Sequence, residues 1–430
     1  MNRKMKRMLK HDHRFLNEMM DIINKYFPEL FLMFNDLTDI RHQSYVSYDM
    51  KAICVTRFMA LLCGIKSMNG MTDTFNDGNV IKNISTILNQ DLSELPHYDT
   101  INDVFENINE AEIRQIQKYI AKALIRSKMF DRYRFNKKII LIFDGTGLVS
   151  FNYKHCDHCL VDQHKDGTRT YKHFVLEAKL CFGDIVISLD SEFIDNPDPS
   201  VIETKKQDNE IKAFKRMADR IKKNYPKLKF ILLADSLYAC EPIIKKCLKN
   251  KWDYVFALKS TRLKTVNEDF DGITSTQSGS SYKNYYLLSE YNYNDVIFNI
   301  VRYKCKKEED KTFTYITNID VNDSNIKEII ILGRKRWKIE NEGFNEQKNG
   351  TYNITHMCSY NYNAMKIHYL FIQFAHTIRQ LFERGKSFVR NLNIKIKEVS
   401  STLIKELTSN TSDLKESNLN FQLRFDMSII

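Results

Sequence analysis

The sequence contains no long apolar stretch. Its most apolar early run, Leu30–Phe34, is far too short to cross a bilayer, which takes about 20 residues in a helix. The first ten residues, Met1–Lys10, are basic, but no apolar segment of the kind found in an export signal follows them. These absences argue against a membrane protein, and we expect a soluble protein of the cytoplasm.

The sequence also lacks a regular cysteine framework, an internal repeat and a low-complexity segment. Its nine cysteines stand at irregular spacings, whereas small disulfide-stabilised domains carry short and regular pairs. We therefore expect the protein to reside in a reducing compartment.

What the sequence does contain is a large apolar fraction and an excess of positive charge. Of its 430 residues, 43% are hydrophobic and 12% aromatic, enough for a sizeable core in two or three domains or in one large catalytic domain with additions. The formal charge is +11 and the pI about 9.0. This balance favours a polyanionic partner such as DNA or RNA, although a basic protein without such a partner is the simpler alternative.

The spacing of apolar residues divides the chain into a helical part and an α/β part. Residues from about 14 to 130 repeat apolar side chains at helical spacing. From about 137 onward, short continuous apolar runs predict buried strands. Two of these strands, His173–Phe182 and Ile185–Ile194, form a predicted hairpin.

The order of the predicted elements indicates the fold class. Three strands, a helix, a strand, a helix and a fifth strand make a mixed α/β sheet with right-handed crossovers. Short antiparallel strands between residues 263 and 325 interrupt this pattern and suggest a β-rich insertion. Helix resumes near Lys327.

Two aspartates close the apolar runs of predicted strands. Asp144 follows Ile139–Phe143, and Asp235 follows Phe230–Ala234. Alone, each has a local explanation, as a turn residue that accepts from nearby amides or as the N-cap of a following helix. Because functional sites gather at strand ends on one side of an α/β sheet, the pair also predicts a site there.

A third acidic position lies in the segment Arg334–Lys348, which is basic, aromatic and predicted to be helical. At about 100° per residue, Arg336, Glu340 and Phe344 share one face of a helix, and Glu342 points roughly 200° away from Glu340. Glu340 is therefore the preferred third carboxylate and Glu342 the alternative. An ordinary i, i+4 ion pair between Arg336 and Glu340 is the competing structural explanation.

Three carboxylates are enough to hold two divalent cations roughly 4 Å apart at a phosphodiester. Hard oxygen ligands favour Mg²⁺ or Mn²⁺ over zinc. In such a site Arg336 and Lys348 would hold phosphate, the arginine as a fork and the lysine as a point charge. Trp337 completes the candidate DNA contacts of this segment.

The combination resembles the bacterial insertion-sequence transposases of the DDE type. It is most similar to the group whose third segment carries a Tyr-Arg-Glu-Lys signature and whose ribonuclease-H-like core is interrupted by a β-rich insertion. Asp144, Asp235 and Glu340 match the three metal-binding carboxylates in order, and Arg336 matches the signature arginine.

The chain departs from that signature at two positions. Gly333 stands where the tyrosine is expected, three residues before Arg336, and Gln347 stands where the lysine is expected. Lys348 follows one residue later. The resemblance covers roughly residues 137 to 385 and implies a division of the chain into five parts. These are a helical DNA-binding or dimerisation region (1–135), a catalytic core in two parts (136–262 and 326–390), the β-rich insertion (263–325) and a basic C-terminal tail (391–430).

The resemblance also implies a function. The protein would be a DNA transposase that uses two Mg²⁺ or Mn²⁺ ions to cut transposon ends and to join the freed 3′ hydroxyl to target DNA. Its partners would be terminal inverted repeats and target DNA, and it would act as a homodimer in a synaptic complex at the bacterial nucleoid. Two alternatives stay open: a domesticated or inactive relative that binds DNA without cutting it, and a ribonuclease-H-like nuclease with another nucleic-acid substrate.

A cluster of cysteine and histidine between the first two core strands suggests a second kind of metal site. Cys-x-x-Cys with nearby histidines supplies the ligand types of a tetrahedral zinc site. The preferred set is Cys156, Cys159, His164 and His173, although His155 and His158 lie in the same stretch. A surface loop with free thiols and solvated histidines is the structural alternative. A zinc ion there would be structural.

Basic segments supply further candidate phosphate contacts, and solvated helix faces explain them equally well. None can be assigned to base reading from sequence, because base-specific contact requires geometry. They comprise the N-terminus (Arg3, Lys4, Lys6, Arg7, Lys10), the stretch from Lys205 to Lys229, and a C-terminal group (Arg384, Lys386, Arg390, Lys395, Lys397).

Overall fold

The computed structural model describes residues 15–196, 207–276, 285–305, 311–385, 396–409, 422–423 and 425. The basic N-terminal residues, Lys205, Lys206, Lys386, Arg390 and Lys395 lie outside the described residues. Within the described part of the chain, no helix combines the length and apolarity that a bilayer crossing needs.

Helices dominate the first part of the chain, as the apolar spacing predicts. The helices in chain order are α1 (Phe15–Tyr26), α2 (Leu30–Asn35), α3 (Met50–Leu62), α4 (Met68–Phe75), α5 (Gly78–Leu88), α6 (Tyr98–Asn107), α7 (Glu110–Arg126), α8 (Glu210–Asn224), α9 (Glu241–Asn250), α10 (Lys264–Thr276), α11 (Ile326–Arg334), α12 (Asn345–Asn349), α13 (Tyr362–Arg384) and α14 (Ile396–Leu407). Side chains close many of their first turns: in α8, for example, Asn209 accepts a hydrogen bond from the amide of Lys212.

The strands begin near residue 139, where the continuous apolar runs start. They are β1 (Ile139–Phe151), β2 (Leu160–Gln163), β3 (Arg169–Phe182), β4 (Ile185–Ile194), β5 (Phe230–Ala234), β6 (Asp253–Ala257), β7 (Tyr285–Tyr293), β8 (Val296–Cys305) and β9 (Lys311–Thr317). The predicted hairpin is confirmed as β3 and β4, and β5 has the predicted bounds.

These strands form one mixed sheet, and its core has the ribonuclease-H-like order β4–β3–β1–β5–β6. β3 runs antiparallel to β1 and β4, while β1, β5 and β6 run parallel. β2 and β4 both pair with β3, β2 with its first residues and β4 with the remainder. The mixed α/β fold class predicted from the sequence is confirmed.

The strands of the predicted β-rich insertion continue this sheet. β9 pairs antiparallel with β6, and β8 and β7 follow it outward. The segment therefore widens the sheet beyond β6, because β9 satisfies the edge that β6 would otherwise expose.

Helix α13 lies at the centre of the molecule. Nearly all of its residues from Ala364 to Phe382 are buried, and it packs against β4 and against the N-terminal helices α1, α3, α6 and α7. One continuous hydrophobic cluster extends from Phe15 through this helix to the sheet. The helical region and the sheet thus share a core, which crosses the boundary predicted near residue 135.

Candidate active site at the sheet edge

The two predicted aspartates occupy corresponding positions near the end of two paired parallel strands, Asp144 within β1 and Asp235 directly after β5. The β1–β5 register pairs Ile142 with Leu233, and Asp144 and Asp235 each follow two residues later in the chain. Parallel strands advance together by about 3.3 Å per residue, so both aspartates emerge at the same edge of the sheet. The sequence prediction that they share a site edge agrees with this register.

Asp144 does not end its strand, contrary to the prediction. β1 continues to Phe151 because β3 extends beyond the end of β5 and pairs with this outer part, placing Glu177 opposite Asp144. The residues Gly145 to Gly147, which directly follow Asp144, are therefore strand and not the turn that a turn residue at Asp144 would begin. Asp144 lies where parallel pairing with β5 stops and the strand continues as a two-stranded ribbon.

Each aspartate also makes the local hydrogen bond expected of a turn residue. The Gly145 amide donates to Asp144 Oδ1 at 3.0 Å, and the Leu237 amide donates to Asp235 Oδ1 at 2.8 Å. These bonds fix the orientation of both carboxylates. The second oxygen of Asp144, Oδ2, lies 3.3 Å from Arg336 Nη1.

The segment that carries Glu340 is not a regular α-helix. α11 ends at Arg334, and Ile339–Phe344 forms a π-helical turn. Hydrogen bonds from i to i+5 change the angle between successive side chains, so the prediction that Glu340 and Phe344 share a face is wrong. Glu340 is exposed, and Phe344 is fully buried in the core. π-helical turns of this kind occur frequently at functional sites.

The structure distinguishes the two candidate glutamates by their partners. Glu342 lies 2.8 Å from Arg384 and 3.4 Å from Lys338, so two cations already compensate its charge. Glu340 is close enough to Asp144 to contribute to its electrostatics. The arginine that could have formed an i, i+4 pair with Glu340 contacts Asp144 instead. These partners favour Glu340 as the third carboxylate.

Negative charge is crowded around Asp144. Burial raises the pKa of its carboxyl to about 6; Arg336 opposes this rise, while Asp235 and Glu340 add to it. The Gly145 amide and the Arg336 guanidinium replace only part of the hydration that this carboxyl has lost. An additional cation between these groups would relieve the remaining repulsion.

A fourth carboxylate, Glu210, lies beside the same edge and was not predicted from the sequence. Glu210 begins α8 and accepts a hydrogen bond at 3.0 Å from the buried hydroxyl of Tyr238. Burial, with smaller contributions from Asp144 and Asp235, raises the pKa of its carboxyl to about 7, and the hydrogen bond from Tyr238 opposes this rise. In sequence it looks like an ordinary acidic residue in the first turn of a basic helix, so no pattern marks it.

Glycine at position 145 makes room for this carboxylate. A Cβ atom there would lie 2.7 Å from Glu210 Cδ and 2.5 Å from a ring carbon of Phe174. Real Cβ atoms do not approach other heavy atoms so closely. Gly145 therefore lets Glu210 reach the edge at which Asp144 stands.

The two departures from the transposase signature have steric and electrostatic reasons. A Cβ on Gly333 would lie 2.5–2.7 Å from the ring of Tyr315, which leaves no space for a larger side chain. Gln347 is fully buried, and its amide nitrogen bonds Gln373 and His376, both at 2.9 Å. A lysine there would place a second buried cation near Lys179, whose Nζ donates to the same Gln373 oxygen at 2.6 Å.

The other two candidate DNA contacts near Glu340, Lys348 and Trp337, have different surroundings. Lys348 Nζ lies 5.9 Å from the ring centroid of Phe344. Trp337 is 54% exposed, and the guanidinium of Arg336 lies 5.3 Å from its ring. An indole this exposed is accessible to a partner.

Two arginines of the basic helix α8 are held by acidic side chains. Arg216 pairs with Glu192 and Asp208, and Arg220 pairs with Asp190 and Glu192. These ion pairs tie α8 to β4. For these two residues the structure therefore favours a structural role over phosphate contact.

Three of the four predicted zinc ligands lie together. Cys156, Cys159 and His173 form a group, but its fourth member is His155. His164 is not in the group, which corrects the predicted set: its Nε2 lies 2.6 Å from the hydroxyl of Thr170 at the exposed end of β3.

The sheet order β4–β3–β1–β5–β6, with acidic side chains gathered at one edge, is a ribonuclease-H-like arrangement. A family model described as Transposase DDE domain matches residues 200–378, and one described as DDE_Tnp_1-associated matches residues 31–119. The two ranges cover more than half of the chain, which belongs to the DDE-type transposases. Asp235 and Glu340 fall within the first range, and Asp144 lies between the two.

Comparisons with individual proteins add little to this assignment. The chain is similar to one in the cryo-EM structure of the piggyBac transposase synaptic complex with hairpin DNA, with 12% sequence identity and a TM-score of 0.44. That similarity covers 94% of this chain and 84% of the other. No curated protein matches the chain.

Proposed function

We propose that this DNA transposase acts through Asp144, Asp235 and Glu340, which together hold two divalent cations, Mg²⁺ or Mn²⁺. The observation that carries this proposal is the β1–β5 register, whose last pair, Ile142 and Leu233, lies two residues before Asp144 and Asp235. The charge crowding around Asp144, to which Glu340 contributes, is the second support.

The donor set fits hard divalent cations. It consists of carboxylate oxygens, which suit Mg²⁺ and Mn²⁺ better than softer metals. When bound, such ions activate an attacking oxygen and stabilise the leaving oxygen of a phosphodiester. The chain itself supplies orientation, since the amides of Gly145 and Leu237 hold one oxygen of each aspartate.

We further propose that Arg336 changes partner when the site is filled. Its guanidinium contacts Asp144 at 3.3 Å, a distance at the long end for a charge-assisted hydrogen bond. Cations bound by Asp144 would weaken that attraction, and Arg336 could then hold a DNA phosphate as a fork. Trp337 and Lys348, on the same segment, are the other proposed DNA contacts.

Glu210 is proposed as a positioning residue of this site. It approaches Asp144 through the space left by Gly145, and Tyr238 fixes its orientation. A carboxylate in this place can accept hydrogen bonds from the water shell of a bound cation. Groups in such supporting positions typically change metal affinity or activity by about 10–100-fold when mutated.

The partners of the proposed reaction are terminal inverted repeats and target DNA, brought together by a homodimer in a synaptic complex. We keep the division of the chain predicted above, in which 1–135 serves DNA binding or dimerisation. Two alternatives remain as outcomes of experiment. They are a relative that binds DNA without cutting it and a ribonuclease-H-like nuclease with another nucleic-acid substrate.

An in vitro assay with a labelled donor DNA end, a target plasmid and Mg²⁺ tests the proposal. We expect cleavage at the element's terminus and joining to the plasmid by the unaltered protein. Donor-end binding without cleavage would support the inactive relative. Cleavage of an RNA–DNA hybrid in preference to the donor end would support the other nuclease.

A further inference from the structure

A second group of metal-ligating side chains lies at the far end of β1, away from the carboxylate edge. It consists of His155, Cys156, Cys159 and His173, whose ligating atoms all lie within 4.8 Å of one another. The two cysteines are in the loop between β1 and β2, and His173 is in β3. The proposed reaction uses none of these residues.

The distances within this group match the edges of a tetrahedron around one ion. The Sγ atoms of Cys156 and Cys159 lie 3.7 Å apart, and His173 Nε2 lies 3.4 Å and 3.5 Å from them. Zinc bonds of about 2.3 Å to sulfur and about 2.0 Å to nitrogen would place two sulfurs roughly 3.8 Å apart and sulfur and nitrogen roughly 3.5 Å apart.

His155 completes the group. Its Nδ1 is buried and has no hydrogen-bond partner among the described residues. Its ring stacks on Phe151 at 4.5 Å and faces Tyr360 at 5.8 Å, which holds the imidazole in place. A buried nitrogen without a partner is costly unless a ligand satisfies it.

We propose that these four residues bind one structural Zn²⁺ ion. Two thiolates and two imidazoles are the ligands of a closed tetrahedral site, which leaves no position open for a substrate. The same donors are too soft for the Mg²⁺ or Mn²⁺ of the carboxylate edge. The two metal sites therefore differ in ion and in role.

The proposed ion would fasten three parts of the chain together. It links the loop after β1 to His173 on β3, and the ring of His173 stacks at 4.9 Å on Tyr362, the first residue of α13. His173 and Cys159 are almost fully buried. Removing the ion would thus loosen the outer ribbon of β1 and β3 and the start of the central helix.

A disulfide between the two cysteines is the competing explanation. Its sulfurs would be bonded at about 2.05 Å, whereas they stand 3.7 Å apart. A disulfide would also leave the convergence of two imidazoles on the sulfurs unexplained. Thiol alkylation with and without reduction separates the two cases. The thiols of a zinc site react with an alkylating agent once a chelator has removed the ion, whereas those of a disulfide react only after reduction.

Metal analysis of the full chain, purified without a metal-affinity tag from zinc-supplemented cells, is the first test. We expect about one zinc per chain, lost on treatment with a strong chelator. Replacement by Co²⁺ should give tetrahedral visible bands and a thiolate charge-transfer band that saturate at one equivalent. Zinc near zero after reconstitution, or no saturable Co²⁺ spectrum, would overturn the proposal.

Single substitutions then test the ligand set. Cys159→Ser and His155→Ala should each weaken zinc binding at least about tenfold, while His164→Ala, the matched control, should retain one zinc. Stoichiometric zinc in Cys159→Ser, or its loss in His164→Ala but not in His155→Ala, would contradict this set. The Co²⁺ titration of the unaltered protein decides the matter if a cysteine variant does not fold.

Discussion

The two ends of the outer half of β1 carry two contrasting sets of proposed metal ligands. At one end lies Asp144, whose carboxyl pKa is raised in part by the nearby charges of Asp235 and Glu340, and Glu340 is exposed. At the other end, beyond Phe151, two thiols and two imidazoles lie together, with Cys159 and His173 buried and His155 and Cys156 partly exposed. Phe151 lies seven positions after Asp144, roughly 23 Å along the strand.

If both proposals hold, one strand serves chemistry at one end and stability at the other. At the carboxylate edge, the Arg336 guanidinium contacts Asp144, where a metal ion is proposed to bind. The edge is open on the side of Glu340, as a site that exchanges substrates must be. The cysteine–histidine group is closed by its own side chains and by aromatic rings. Changes at the first should alter reaction rates, and changes at the second should alter folding.

The largest effect is expected from Asp235→Asn or Glu340→Gln. Loss of a cation ligand removes several kcal/mol of transition-state stabilisation, which corresponds to about 10³-fold or more in the rate of donor-end cleavage. DNA binding, measured by fluorescence anisotropy, should stay within a few-fold of the unaltered protein.

Asp219→Asn is a matched control for these variants, because Asp219 is 68% exposed and pairs only with Lys246 across the surface in the described residues. Its cleavage rate should not change. Cleavage at full rate by Glu340→Gln would exclude Glu340 as a ligand, and a simultaneous loss in Glu342→Gln would transfer the role to Glu342.

A smaller effect is expected from Glu210→Gln, which keeps the shape and removes the charge. Cleavage should slow by about 10–100-fold, and the Mg²⁺ concentration for half-maximal rate should rise. Tyr238→Phe removes only the hydroxyl that orients Glu210, so it should act in the same direction but more weakly.

A purely structural role for Glu210 would produce a different result. In that case the variant would lose thermal stability without any change in its Mg²⁺ dependence. The Zn²⁺ content of Glu210→Gln and Tyr238→Phe should equal that of the unaltered protein, since Glu210 belongs to the carboxylate edge alone.

The comparison of the two sites also explains what the sequence could and could not predict. Asp235 and the bounds of β5 are readable because a buried parallel strand is a continuous apolar run that ends where polar residues begin. Asp144 was placed on the right strand, but its surroundings were not, because the pairing of β1 with β3 is a long-range contact. Glu210 was missed for the same reason.

Local backbone geometry was a second limit on what the sequence could predict. The π-helical turn at Ile339–Phe344 changes the angular positions that a regular helix assigns, so the face containing Phe344 was predicted wrongly while Glu340 was still preferred. At the cysteine–histidine group, residue types and the Cys-x-x-Cys spacing were sufficient for three members. The choice between His155 and His164 depended on which imidazole folds back on the loop, which spacing does not determine.

The dependence of stability on pH tests the charge crowding at the carboxylate edge, and this test needs no DNA. Asp144 and Glu210 have pKa values raised from 3.8 and 4.5 to about 6 and about 7, so the folded state binds more protons than the unfolded state between these values. The free energy of unfolding of the Mg²⁺-free protein should therefore fall as pH rises from about 4 to about 7.

Thermal melting across this pH range is the measurement. Mg²⁺ should restore stability above pH about 6 and have little effect near pH 4, where the carboxyls are protonated. At pH 7 without Mg²⁺, the free energy of unfolding of Asp144→Asn should exceed that of the unaltered protein by roughly 1–2 kcal/mol. The variant should therefore melt a few degrees higher, and Mg²⁺ should stabilise it less. A lower melting temperature for Asp144→Asn would contradict the charge crowding.

The smallest effect is expected from Glu342→Gln, which sharpens the distinction between the two glutamates. Glu342 lies in ion pairs with Arg384 and Lys338 at the partly exposed π-helical turn, so its charge contributes about 0.5–1 kcal/mol to stability. The variant should melt slightly lower, an effect that 1 M salt reduces by screening the pairs. Donor-end cleavage should stay within about twofold, and a larger loss that extra Mg²⁺ restores would show that Glu342 takes part in cation binding.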